Sequence, residues 1–389
     1  MMKNNVIKFN IAGIIQFIII FLLYSTVIFN LQEYAKYFNL TAITDKVSII
    51  YKIGKDLGII LIIFIAFINT IRTHKLPILF PLFYILFIYL IGLSILSDNI
   101  MLIMAGCRWI LPIFLILALF PYIDYSFMLR ITKVLYHLIL IQVILQIIQM
   151  FIMPPIAGVN FLGLSARNTG FFMYPGPAGL FANVCFCFFA VFKKYKFSYI
   201  LVFVSVIMAM SSTGAFIFFI LLFFIKFYHS RFFKLLCLTL PIFAFFIFIN
   251  LDTITGRNEG DTMTSGSMRV EILSESINNA SLISTKFGTA TNTAVSMNIK
   301  DSFIADSTYT SIITNMGFLV FFVILLMLSI AIYYAYINKR LDIILFLIVF
   351  GLGSITIITF EFFPVNILMP LIITYYIKQS LQHKSVQSI

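Results

Sequence analysis

Residues 9–29, FNIAGIIQFIIIFLLYSTVIF, run for 21 positions without a charged side chain. At 1.5 Å per residue a helix of that length is about 31 Å long, which matches the hydrocarbon thickness of a bilayer. A strand of a membrane barrel needs about half the length and alternates apolar with polar residues. This run does not alternate. Eleven more apolar runs follow, near 57–71, 76–96, 100–119, 131–152, 171–192, 197–212, 213–228, 232–250, 307–337, 341–360 and 362–377. The expected fold class is all-α: a polytopic integral membrane protein with about 12 transmembrane helices.

The composition of the 389 residues agrees, with 62% hydrophobic and 10% charged. A soluble domain carries about a quarter charged residues. The net charge of +12 is scattered between spans rather than gathered on a soluble face, so nucleic acid is not an expected partner. Cys107, Cys185, Cys187 and Cys237 all fall inside apolar runs, which argues against a disulfide framework or a zinc site. No cleavable leader is expected, because the first run is long and no A-x-A-like site follows it.

Charge sets the topology. With the N-terminus in the cytoplasm, every inner segment carries at least two basic residues, among them Lys193, Lys194 and Lys196 after the sixth span and Lys339 and Arg340 after the tenth. The short outer loops near 97–99, 211–213 and 360–363 carry none, and only Asp124 and Asp342 of the acidic residues fall inside. The positive-inside rule therefore puts both termini in the cytoplasm. The chain divides into 1–250 with nine spans, a large hydrophilic outer loop over 251–306, and 307–389 with three spans and a cytoplasmic tail. An outer segment this long exceeds what a connection needs, so chemistry is expected on the outer face.

His74, His137, His229 and His383 lie in inner loops or toward the inner half of a span, so outer proton transfer falls to carboxylates. Asp306, at the mouth of the tenth span, and Glu361, in the last outer loop, are the candidates. An alternative for Asp306 is a helix N-cap. Arg167 precedes Tyr174-Pro175-Gly176-Pro177, where prolines break the start of a span and leave N–H groups facing outward; such an end, with an arginine beside it, suits phosphate. The other reading is a topological arginine at the interface. In a helix over 267–280, Arg269 would point among Val270, Ile272, Leu273 and Ile277, away from Glu271 and Glu275, either snorkelling to lipid or entering a ligand cavity. Arg108 lies inside the fourth span, as a functional residue or as an ion-pair partner of Asp98 or Glu361. No phosphate-binding glycine loop, Ser-His-Asp set or metal-ligand spacing occurs, so no cofactor is expected.

The order of these features resembles the Wzy-type O-antigen and capsular polysaccharide polymerases and the related O-antigen ligases. The elements are Arg167-Asn168-Thr169-Gly170, Ser211-Ser212-Thr213-Gly214, Ser267-Met268-Arg269, Phe287-Gly288-Thr289-Ala290, and Asp306-Ser307-Thr308-Tyr309 followed by Gly317. The resemblance covers about residues 165–320. It implies a GT-C-like glycosyltransferase in the bacterial inner membrane, with undecaprenyl-diphosphate-linked oligosaccharides as donor and acceptor, membrane lipid around it and a chain-length regulator as a further partner. It also implies that Arg167 and Arg269, with Arg108, hold the diphosphate, that Asp306 or Glu361 serves the acceptor, and that Gly170, Gly288 and Tyr309 support the site. Two departures stand out. The pattern of an Arg followed by ten residues and Gly is not met, since Gly179 comes one place late after Arg167 and position 280 is Ala. Asp306 stands where ligases carry a histidine, which favours the polymerase. A flippase has the same span count, but lacks a reason for the large outer loop.

Overall fold

The computed structural model describes residues 11–37, 45–73, 111–152, 160–161, 164–165, 168–172, 174–228, 273–274, 276–278, 280–282, 307–360 and 362–387. Its labelled helices are α1 (Ile11–Tyr37), α2 (Asp45–Thr73), α3 (Tyr125–Ile152), α4 (Pro175–Val191), α5 (Ser198–Ala209), α6 (Ser212–Phe227), α7 (Thr308–Met316), α8 (Phe318–Ile337), α9 (Leu341–Thr356) and α10 (Val365–Gln387). Residues 111–119 are also helical. Two antiparallel two-residue strands, Asn160–Phe161 and Leu164–Ser165, are the described β-structure. Three segments, Ile11–Ile28, Tyr125–Phe151 and Phe318–Ile337, are long and apolar enough to cross a membrane, and α4, α5, α6 and α9 are shorter apolar helices. The architecture is that of a helical membrane protein.

At the centre stands α4. Every residue from Ala178 to Phe189 is buried, as expected of a helix that is apolar on all sides. It packs against α3, α5, α6 and α9. Inside a bilayer such contacts are driven by close packing rather than by escape from water, so small residues matter. A Cβ on Gly214 of α6 would lie 2.8 Å from the Gly179 Cα of α4, and a Cβ on Gly353 of α9 would lie 2.5 Å from Leu180 Cδ1. The backbones of α4 and α6 touch, and Asn183 ties them by donating from Nδ2 to Gly179 O and Gly214 O, each at 2.8 Å.

The connections sort to two ends. At one, Lys378 Nζ donates to Ile123 O (2.8 Å), Tyr125 Oη to Phe192 O (3.4 Å) and Tyr136 Oη to Lys196 O (3.2 Å). Arg340 forks onto Asp342 at 3.0 and 2.8 Å and reaches Gln379 Oε1 at 3.0 Å. These are the basic connections. The other end joins 168–172, 210–212, 357–360 and 362–364, through Asn168 N to Met208 O (3.0 Å), the Phe172 and Phe362 rings (5.4 Å apart) and Ile357, whose Cδ1 is 3.6 Å from a Cβ position on Gly176.

Several element boundaries depart from the hydropathy reading. The run at 307–337 is two helices, interrupted at Gly317 (φ 87°, ψ 171°). The break frees the first N–H groups of α8, and Ser281 O and Leu282 O accept from Phe318 N (3.2 Å) and Leu319 N (3.0 Å). A segment of the large loop thus docks on the interruption and satisfies donors that an uninterrupted helix would bond internally. The Ser211 turn does separate two helices: Met210 adopts φ 46°, and Ser211 Oγ caps α6 by accepting from Gly214 N at 3.1 Å.

Candidate functional site

Three glutamines on one face of α3 build the floor of the second end. Gln142, Gln146 and Gln149 stand at i, i+4 and i+7 in the otherwise apolar second half of the helix and are nearly or wholly inaccessible. Each holds the non-helical backbone that follows Arg167. Gln142 donates to Thr169 O (2.7 Å) and accepts from Phe171 N (3.1 Å). Gln149 donates to Gly170 O (2.6 Å) and accepts from Gly170 N (2.8 Å). Gln146 donates to Asn168 O (2.9 Å) and to Ser205 O of α5 (3.0 Å). Irregular backbone away from water is tolerated only where each polar group finds a partner. The glutamine ladder supplies those partners, and polar residues at 3.6-residue spacing in an apolar run were the signal that sequence reading passed over.

Gly170 fits this floor for two reasons. Its φ is +67°, and a Cβ there would lie 2.3 Å from Gln142 Oε1. Only glycine meets both demands without strain.

Above the floor, α4 begins at Pro175 after the extended Tyr174, with no side-chain cap. Pro175 and Pro177 have no N–H, and Ala178 N donates to Tyr174 O at 3.3 Å. The helix start therefore offers fewer outward donors than the sequence reading assigned to it, and an anion held here would depend mainly on basic side chains.

Beside it lies a hydroxyl cluster joining α7 to the end of α9. Thr308 Oγ1 donates to Ile357 O (2.7 Å) and accepts from Thr359 N (2.9 Å); Ser354 Oγ and Thr359 Oγ1 share a hydrogen bond of 3.0 Å; Ser307 Oγ donates to Ser354 O (3.3 Å). Tyr309 Oη donates to Gly351 O at 3.0 Å. The N-cap of α7 is Ser307, whose side chain accepts from Thr310 N at 3.4 Å. The capping role weighed for Asp306 thus belongs to its neighbour.

Of the sequence candidates, Gly170 and Tyr309 are described and lie in these two parts of the same end. Arg108, Arg167, Arg269, Gly288, Asp306 and Glu361 fall outside the described residues. Three of them are covalent neighbours of described anchors: Arg167 of Asn168, Asp306 of Ser307, and Glu361 of Phe360 and Phe362. Part of the helix expected over 267–280 is described. Residues 273–274 and 276–278 are helical, but Leu273 and Ile277 are exposed (39% and 46%) and Ser276 is fully buried. Among the described residues no group of His, Cys, Asp and Glu is arranged to hold a metal ion. No family model, no curated protein and no solved structure matches the chain.

Proposed function

We propose that the protein joins undecaprenyl-diphosphate-linked oligosaccharide units into a longer glycan at the outer face of the bacterial inner membrane. One observation carries this reading: the described parts of the resembling motifs, Asn168–Gly170, Ser211–Gly214 and Ser307–Tyr309, converge at one end of the bundle around the start of α4. They are far apart in sequence, and packing around α4 brings them together.

In the proposed reaction an acceptor hydroxyl oxygen attacks the anomeric carbon of the donor glycan. The carbon–oxygen bond to the lipid diphosphate breaks, and the diphosphate leaves with the electron pair. Arg269 and Arg167, joined by Arg108, neutralise the charge that grows on it, the largest contribution such a site offers. Asp306 takes the hydroxyl proton, with Glu361 as the second choice. The test is Arg269→Ala, which abolishes polymer while the protein still inserts and accumulates. Arg269→Lys also loses most polymer, because an ammonium cannot make the two-pronged phosphate contact. Full-length polymer in the lysine variant would reduce the role of Arg269 to general positive charge.

A further inference from the structure

The opposite, basic end carries a separate feature, independent of the proposed reaction. The connection between α4 and α5 is Lys193-Lys194-Tyr195-Lys196-Phe197, with all three lysines exposed. Each ammonium rests over an aromatic ring: Lys193 over Tyr195 (5.1 Å), Lys194 over Tyr199 (4.6 Å) and Lys196 over Phe197 (5.1 Å). Rings steady a cation without neutralising it. Lys133, exposed on α3, lies one turn before Tyr136, which stacks on Tyr195 (4.9 Å) and donates to Lys196 O (3.2 Å). None of the four lysines pairs with a carboxylate among the described residues, and Asp342 is taken by Arg340. The four cations thus share one corner with no carboxylate paired to them among the described residues.

Two further observations give the corner a direction. Phe197 is the N-cap of α5, held at φ 64° with no side-chain cap bond, so the positive end of that helix opens onto the lysines. Ser198 Oγ beneath it is fully buried with no hydrogen-bond partner. From Phe197 an exposed apolar stripe runs along α5 through Ile200, Phe203 and Ile207, exposed by 58%, 58%, 46% and 47% respectively, while Val202, Val206 and Ala209 face inward. A cationic corner continuous with an apolar stripe about 10 Å long from Ile200 to Ile207 complements a molecule with an anionic head and a hydrocarbon tail.

We infer that this corner binds one anionic phospholipid, its phosphate on Lys133, Lys193, Lys194 and Lys196 and an acyl chain along Ile200, Phe203 and Ile207. The test uses the full chain purified in neutral detergent, with native mass spectrometry against phosphatidylglycerol and phosphatidylcholine of matched acyl chains. The parent retains phosphatidylglycerol over phosphatidylcholine by at least about fivefold, the effect of a single lysine near an anionic headgroup. The triple variant K193Q/K194Q/K196Q loses that preference, and K193R/K194R/K196R keeps it. Should the glutamine triple not fold, K133Q/K194Q gives an intermediate loss. An undiminished preference in the glutamine variants, or no preference in the parent, overturns the inference. Displacement of the lipid by millimolar inorganic phosphate also overturns it, because the site would then recognise a free anion rather than a lipid.

Discussion

Replacing Gly170 with alanine strikes the floor of the candidate site at its least forgiving point. Two costs add. An alanine at φ +67° pays roughly 1–2 kcal/mol for the left-handed conformation. Its Cβ would also stand 2.3 to 2.6 Å from the Gln142 amide atoms, so that side chain must leave. Its departure strips Phe171 N of its partner, at about 1–2 kcal/mol for a buried group, and leaves Thr169 O with Phe172 N alone. The sum is about 2–4 kcal/mol, which at roughly 2 °C per kcal/mol lowers the midpoint of thermal unfolding by about 4–8 °C. The assay is thermal unfolding in detergent, with Gly176→Ala as the matched control. A Cβ at Gly176 meets Ile357 at an ordinary 3.6 Å, so the control changes little. A Gly170→Ala variant as stable as the control would refute the glutamine-ladder account of this segment.

Three other outcomes are expected. Gly214→Ala forces α4 and α6 apart, because its Cβ meets backbone at 2.8 Å; Gly351→Ala, with only Tyr309 Oη at 3.9 Å, is tolerated, and unfolding midpoints separate the two. With Ser307 holding the cap, Ser307→Ala costs about 1 kcal/mol of stability, whereas Asp306→Asn leaves stability unchanged and removes most polymer; a fully active Asp306→Asn shifts the acceptor-side role to Glu361. At the basic end, desolvation raises the pKa of the Asp124 carboxyl, but hydrogen bonds from Phe127 N and Ser126 Oγ and the charges of Arg130 and Lys378 outweigh it and hold the value below the usual one. Its stabilisation is therefore present above the unfolded carboxylate pKa and is lost as pH falls through the lowered folded one. Asp124→Asn flattens the acid limb of a stability–pH curve, and an unchanged limb would remove Asp124 from that account.

Hydropathy makes the helices legible because a bilayer requires long apolar segments. The runs at 131–152, 171–192, 197–212, 213–228 and 341–360 each correspond to a described helix. The same averaging hides interruptions. Thr308–Met316 is much more polar than Phe318–Ile337, but one run over 307–337 averages that contrast away, and the break between α7 and α8 is fixed by Gly317 and by the Ser281 and Leu282 carbonyls that satisfy it. Gln142, Gln146 and Gln149 were hidden for a like reason: three amides barely lower the mean of a 28-residue helix. Leu273 and Ile277 of the helix expected over 267–280 are exposed, a facing that sequence periodicity alone does not decide. The motif residues were legible as an ordered set, and the convergence of Gly170, Gly214 and Thr308 at one end is what a sequence cannot display, since it depends on packing around α4.

Glycan length made by the purified protein in vesicles tests the central proposal most directly. Supplied with undecaprenyl-diphosphate-linked oligosaccharide and nothing else, the protein is predicted to yield a ladder of repeat-unit multiples, with one undecaprenyl diphosphate released for each bond formed. The opposite result, single units that only move from one leaflet to the other with no diphosphate released, would contradict the glycosyltransferase and identify a flippase instead.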